Sequence, residues 1–298
     1  MFLENKVIEF IYNKEFELAI RTIPECNFDS PFDEVASRGR EAMVAAAQEG
    51  RLDVMKALVD SGVDIEKMTP GLIKWSAVHR DYPMLKFLVE NRAPVGTDVE
   101  APLRIAAAHG ELEMLKLMQS YGMSPVLPAE PGRQLSTVAE WAAQWGKTEI
   151  VEYLLEQGVD PCERDNESVL TALHYGQDGV VELLKSKGAD VNAQEGEALK
   201  RCAFSNNPDA LEKAKQHGVD VVKYGHNALD NALTNGGYEA LKWLMENGVT
   251  NKQVEEALLK VEPNHVCSFA VEVLESKGVD WVPDISPERE ATNSRRGL

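Results

Sequence analysis

A glycine recurs at a nearly constant spacing along this chain of 298 residues. From Gly62 to Gly278 the successive steps are 30 residues, apart from one step of 36. A fixed period of this length is the sequence signature of a repeat protein, so the chain is predicted to stack similar units. The recurring positions are Gly62, Arg92 in place of a glycine, Gly122, Gly158, Gly188, Gly218, Gly248 and Gly278.

The segments before most of the recurring glycines carry apolar residues four, five, seven and eight positions after a turn residue. Lys213 breaks this pattern before Gly218. After Gly176, for example, these are Val180, Val181, Leu183 and Leu184. This spacing forms one face of an α-helix. A shorter alanine-rich segment precedes the turn, so each unit is predicted to be a helix, a tight turn, a second helix and a glycine stop. Such a unit cannot bury its own apolar face, and it becomes stable only by stacking on its neighbours.

One repeat, residues 172–193, reads "ALHYGQDGVVELLKSKGADVNA". It resembles the ankyrin-repeat pattern "TPLHxAAxxGHxxVVxLLxxGADVN", and looser copies extend the resemblance to about residues 35–281. The resemblance implies an all-α helical-repeat solenoid of about eight to nine helix-turn-helix units. The period is 30 residues where the family has 33, which implies shortened loops with reduced or absent β-hairpin fingers.

The ends of the array differ from its middle, as capping units do in repeat proteins. We expect a single solenoid over residues 1–285, with an N-terminal capping unit at 1–34, repeats at 35–250 and a C-terminal capping unit at 251–285. The six extra residues of the longer step fall at 123–137, which is predicted to be a proline-rich loop and a possible partner contact. The polar tail, residues 286–298, is predicted to be disordered.

The net charge is −18, which disfavours direct binding to nucleic acid or to an anionic membrane and is compatible with a basic protein partner.

No basic leader followed by an apolar stretch opens the chain, and no later stretch is apolar enough to span a bilayer. The four cysteines are widely scattered, so neither a zinc site nor a disulfide framework is indicated. A cytoplasmic protein is expected, or one in the host-cell cytosol if a virus or an effector-secreting bacterium encodes it.

No motif supports catalysis or cofactor binding. The chain lacks a glycine-rich phosphate loop, a nucleophile elbow and a zinc-binding His-Glu-x-x-His helix. His79 and His109 occupy equivalent places in adjacent units, but neighbouring helices lie roughly 8 to 10 Å apart, too far for a shared metal. We therefore expect no enzyme activity, no metal and no cofactor.

The family resemblance implies that a partner binds the concave surface formed by the shorter helices. In each repeat, the positions of interest are one, two, five and six residues before the turn residue. Those positions are rich in aromatic and basic side chains, which are typical of binding hot spots. Trp75, Trp141 and Phe204 have the alternative of packing between units. The predicted partner-binding residues are Lys74, Trp75, His79, Arg104, Ile105, His109, Glu140, Trp141, Trp145, His174, Tyr175, Lys200 and Arg201.

Three functions are compatible with these features. The first is a non-catalytic protein-interaction module that binds a macromolecular partner in its groove. The second is an acidic inhibitor that imitates nucleic acid and occupies a basic nuclease or regulator. The third is capture of a phosphorylated or nucleotide-like ligand, with aromatic rings stacking on it and Arg104, Lys200 and Arg201 neutralising its phosphate.

Overall fold

The structure is a computed structural model that describes residues 3–26, 28, 33–68, 71–94, 100–123, 138–234, 237–261, 266, 268–276 and 278. Within these ranges the chain is helical and contains no β-strand, which confirms the predicted all-α repeat fold. Most of the 123–137 insertion and the whole 286–298 tail lie outside the described residues. The residue contacts divide the chain into two compact units, residues 1–142 and 143–298.

The helices follow one another as short antiparallel pairs. Three 3₁₀ turns, Ile23–Glu25, Ile65–Lys67 and Gly225–Ala228, lie between them. The α-helices are α1 (Leu3–Tyr12), α2 (Phe16–Thr22), α3 (Asp33–Gln48), α4 (Leu52–Asp60), α5 (Gly71–Val78), α6 (Tyr82–Glu90), α7 (Glu100–His109), α8 (Leu112–Ser120), α9 (Val138–Gln144), α10 (Thr148–Glu156), α11 (Glu163–His174), α12 (Asp178–Ser186), α13 (Ala193–Phe204), α14 (Pro208–Gln216), α15 (Val221–Tyr224), α16 (Leu229–Thr234), α17 (Tyr238–Glu246), α18 (Asn251–Leu258) and α19 (Ser268–Ser276).

Each of the two compact units contains an inner row and an outer row of helices. In residues 1–142, the inner helices α1, α3, α5 and α7 pack in sequence, and α2, α4, α6 and α8 pack behind them. In residues 143–298, the inner row is α11, α13, α16 and α18. Its outer row is α10, α12, α14, α17 and α19. Consecutive helices alternate between the rows because a turn of two or three residues follows most inner helices, and a longer connection follows each outer helix.

The recurring glycines end the outer helices as the spacing predicts. From Gly62 to Gly278 all seven have positive φ, between 75° and 120°. Arg92, which stands in place of a glycine, adopts φ 60°. A residue with a Cβ reaches this left-handed region only at a cost in energy. The backbone is therefore strained at Arg92, whereas the other repeats have glycine at this position and avoid the strain.

The core consists of the apolar residues of the outer helices, at positions four, five, seven and eight after the turn residue, and of the small residues of the inner helices. We call this pattern of apolar residues the apolar code. In α12, Val180, Val181 and Leu184 are buried, while Leu183 is half-buried. In α6, α8, α10 and α17 the corresponding first, second and fourth apolar residues are likewise buried and the third is half-buried. The small pairs of the inner helices are fully buried and bring neighbouring helices together. They are Ala46–Ala47, Ser76–Ala77, Ala106–Ala107, Ala142–Ala143 and Cys202–Ala203.

Two loops of residues 143–298 contain three consecutive residues in the left-handed region. They are residues 164–166 at the start of α11 and 194–196 at the start of α13. Hydrogen bonds join one loop to the next: Gln194 Nε2 donates to the carbonyl oxygen of Asp165 (3.1 Å), and Asn227 Nδ2 donates to that of Glu195 (3.0 Å). Side-chain to backbone bonds thus link these loops, which take the place of the β-hairpin fingers.

Candidate functional site

Three large aromatic side chains are exposed at the ends of consecutive inner helices. Trp145 follows α9, Tyr175 follows α11 and Phe204 is the last residue of α13. Their exposed fractions are 54%, 50% and 61%. We call Trp145, Tyr175 and Phe204 the aromatic row. Large aromatics are usually buried in a folded protein, so three of them exposed on neighbouring repeats form an unusual surface.

Hydrogen bonds between repeats fix the turns that carry the aromatic row. Gln177 Nε2 donates to the carbonyl oxygen of Gln144 (3.0 Å), and Lys213 Nζ donates to that of Gly176 (2.9 Å). The backbone N–H of Ala240 donates to Asn206 Oδ1 (3.0 Å). Each turn is therefore tied to the following repeat, and the aromatic side chains project from a rigid support.

His174 lies beneath Tyr175 and is half-buried. Its ring meets the Tyr175 ring edge-on, with centroids 4.7 Å apart and an interplanar angle of 81°. Its Nδ1 is buried and has no hydrogen-bond partner among the described residues. Burial, and secondarily the charge of Arg201, lowers the pKa of His174, so the ring stays neutral and supports Tyr175 by packing.

The basic residues next to the row are neutralised by the chain itself. Arg201 donates to both carboxylate oxygens of Glu167, at 2.7 and 2.9 Å, and to Glu197 at 3.2 Å. Lys200 Nζ lies 2.6 Å from Glu197 Oε2. Burial opposes ionisation of Glu197, but the hydrogen bonds from Lys200 and Arg201 outweigh it and lower its pKa. This network forms a polar floor beside the aromatic row.

The predicted residues of the other unit are arranged differently. Trp75 is half-buried and stacks on His79, with ring centroids 3.9 Å apart and an interplanar angle of 21°. His79 Nδ1 also lies 2.9 Å from the carbonyl oxygen of Trp75. Arg104 and Ile105 on α7 are half-buried. The exposed predicted residues of this unit are Lys74, His79 and His109.

The repeat architecture has counterparts among known proteins. A family model described as ankyrin repeats, in three copies, matches residues 72–165 and 169–255, more than half of the chain. The chain belongs to the ankyrin-repeat family. Among solved structures, it is similar to the crystal structure of the human ASB11 ankyrin repeat domain, with a TM-score of 0.51 and 22% sequence identity. The match covers 73% of this chain and 96% of that domain, and it shows the fold alone. The comparison with curated proteins found no match.

Ankyrin repeats are generally protein–protein interaction modules, and the family is typically non-catalytic. Across the described ranges, no group of three or more His, Cys, Asp or Glu side chains is placed to hold a metal ion. The acidic pair Asp178 and Glu182 on α12 contacts His217, at 3.1 and 2.7 Å, and so contributes to contacts between repeats.

No helix in the described part of the ankyrin chain is long and apolar enough to cross a membrane.

Two predicted positions on α9 differ in accessibility. Glu140 is only 5% exposed, and Trp141 is half-buried, whereas Trp145 is exposed. Glu140 is therefore not part of an accessible surface, because packing within the fold covers its side chain. Phe204 is absent from the predicted set, although it stands two residues before its turn, as His174 does. This equivalence did not predict the exposure of Phe204, because His174 at the same position is half-buried and packing between repeats was the alternative for Phe204.

Proposed function

We propose that this ankyrin-repeat protein is a non-catalytic interaction module that binds a protein partner through the aromatic row. The observation that carries the proposal is the exposure of Trp145, Tyr175 and Phe204 on three consecutive repeats. Each large aromatic side chain buries about 150 to 250 Å² when it is covered, and aromatic residues dominate the energetics of protein interfaces. Contact of a partner with the row therefore removes a large apolar area from water.

The rigid support of the row favours the same function. The turns beneath the three aromatics are hydrogen-bonded to the following repeats, so little conformational entropy is lost when a partner orders the surface. Preorganised aromatic anchors of this kind raise affinity without further contacts. The outer helices lie behind this row and stabilise the stack.

The charge arrangement favours a protein partner over a phosphorylated ligand. A phosphate group needs cationic side chains that are available to it. Lys200 and Arg201 are already engaged by Glu197 and Glu167, and a phosphate would have to displace those carboxylates. The two carboxylates and two cations of this network balance, so it offers an anionic ligand no excess positive charge.

The test is an affinity pull-down from source-cell extract after nuclease treatment, with bound proteins identified by mass spectrometry. The wild type is compared with a row variant carrying Trp145→Ala, Tyr175→Ala and Phe204→Ala. A surface control variant carries Tyr12→Ala, Val222→Ala and Leu259→Ala, at apolar positions of similar or greater exposure, 54%, 70% and 68%. Circular dichroism and urea denaturation verify that all three proteins are folded.

We expect a specific protein to co-purify with the wild type and the surface control variant and to be lost from the row variant. Retention of that protein by the row variant would contradict the proposal. If a basic protein stays bound to the row variant and dissociates only at high salt, the acidic-inhibitor function becomes the better explanation.

A further inference from the structure

We infer that the aromatic row receives an extended segment of the partner in the polyproline II conformation, with an apolar residue at every third position and basic residues on either side. This inference rests on the proposed function, because it specifies the kind of chain that the row binds. It follows from three properties of the surface: the spacing of the aromatics, the narrow width of the apolar stripe and the charge beside it.

The spacing of the row matches the period of a polyproline II helix. The three aromatics belong to consecutive repeats. Helix α11 packs on α13, and helices packed in this way lie roughly 8 to 10 Å apart. A polyproline II helix has three residues per turn and rises about 3.1 Å per residue, so one face recurs every ~9 Å. Apolar residues at positions i, i+3 and i+6 of such a segment can each reach one aromatic. In a β-strand, residues three apart point to opposite faces and cannot do so.

The width of the row favours an extended chain over a helix. On α11 and α13 the apolar stripe is about one side chain wide, because Thr171, Lys200 and Arg201 lie one helical turn before the row. On α9 the half-buried Trp141 stands at that place. An amphipathic helix buries an apolar stripe at least about 100° wide and would press apolar residues against this polar floor. A polyproline II segment presents a narrower face and keeps its backbone solvated. Aromatic-lined surfaces are a recurring binding site for such segments.

The charge beside the row requires basic residues in the bound segment. Glu149, Asp209 and Glu239 are exposed and are each the second residue of an outer helix, α10, α14 and α17. The tight turns place them near the ends of the inner helices. We call these three residues the acidic rim. An arginine flanking the bound segment can pair with the rim, and its guanidinium can also stack on Trp145.

The test pans a phage-displayed library of random 16-residue peptides on the immobilised full-length chain. Selected clones are then tested against the row variant and the surface control variant. We expect a consensus with proline or aliphatic residues three apart and with flanking Arg or Lys. Binding should fall at least tenfold on the row variant and change less than twofold on the surface control variant. Enrichment of a seven-residue apolar period, which indicates a helical ligand, would overturn the inference.

Synthetic peptides separate the spacing from the charge. The reference peptide has thirteen residues, with prolines at positions 4, 7 and 10 and arginine at both ends. One comparison peptide moves the prolines to positions 4, 6 and 8, and another replaces both arginines by glutamate. Fluorescence anisotropy should show at least tenfold weaker binding for each change. Equal binding of the re-spaced or the acidic peptide contradicts the inference.

Two results distinguish failure of this inference from failure of the proposed function. If the row variant loses the protein partner while the selected peptides lack the three-residue period, the inference is wrong and the proposed function stands. If both the partner and the peptides bind the row variant normally, the aromatic row is not the binding surface. Sedimentation velocity provides the remaining check: a wild-type dimer that the row variant does not form would mean that a second copy of the chain covers the row.

Discussion

The inner helices of the two compact units place aromatic or imidazole rings at the same point of the repeat but leave them differently available. In residues 1–142, His79 stands at this point and stacks face to face on Trp75. In residues 143–298, Tyr175 meets His174 only edge-on, and Thr171 stands where Trp75 stands in the other repeat. An aromatic partner four residues earlier covers a ring face locally. The comparison teaches that a residue's availability for binding depends on its helix neighbours as well as on its place in the repeat.

The largest expected effect tests whether the two regions really differ in binding. We predict that the row variant weakens binding of the co-purified partner by about 100-fold or more, because a single aromatic hot spot contributes roughly 2 kcal/mol or more. A matched variant in the other unit, Val78→Ala with His79→Ala, should weaken it less than about threefold, a fraction of one hot spot. Isothermal titration calorimetry with the purified partner measures both values. Equal losses in the two variants would remove the distinction between the regions.

The second prediction concerns the loops that join the repeats of the aromatic row. Gly196 has φ 76°, and a Cβ added there would lie 2.5 Å from Tyr224 Cβ. Gly196→Ala should therefore lower the free energy of unfolding by about 2 to 4 kcal/mol, combining backbone strain with overpacking. Gly158→Ala is the control, because φ is 93° there but the space is open, and its cost should be about 1 kcal/mol. Urea denaturation measures both, and similar costs would show that Tyr224 moves away.

The third prediction uses pH to examine the ring beneath Tyr175. Burial lowers the folded-state pKa of His174 below its ordinary value of 6.5, so the unfolded chain binds more protons as the pH falls through 6.5. The stability of the wild type should therefore decrease towards pH 5. His174→Leu should remove part of this decrease, less than about 1 kcal/mol because the ring is only half-buried. Thermal unfolding at pH 7 and pH 5 gives the difference, and parallel changes in the two proteins would contradict the assignment.

The smallest expected effect lies in residues 1–142, at Arg92, the position in the recurring-glycine series that carries another residue. Arg92→Gly should raise the free energy of unfolding by about 0.5 to 1 kcal/mol, because it relieves the left-handed conformation at φ 60°. Arg92→Lys keeps the charge and the strain and should leave stability unchanged. Differential scanning calorimetry compares the two variants. A loss of stability in Arg92→Gly would mean that the flexibility it adds to the unfolded chain outweighs the strain it relieves.

The sequence by itself determined the repeat, its helices and their buried faces. The glycine period, the apolar code and the alanine pairs are local patterns that repeat, and each predicts the same unit independently of the others. Positive φ at Gly188 and burial of Val180 and Leu184 are consequences of residues within a single repeat. The candidate surface was predicted in the same way, since Trp145 and Tyr175 stand immediately before a turn glycine.

The tertiary structure alone decided which of the candidate residues are accessible and which are engaged. Arg201 is paired with Glu167, 34 residues away, and Glu140 is buried although it lies on the same helix as the half-buried Trp141. Phe204 is exposed, whereas Lys213, at an apolar position of the code, reaches Gly176 and Asp178 of the preceding repeat. These outcomes depend on side-chain conformations and on packing between repeats. A pattern within one repeat does not contain that information, because the partner of each side chain belongs to a different repeat.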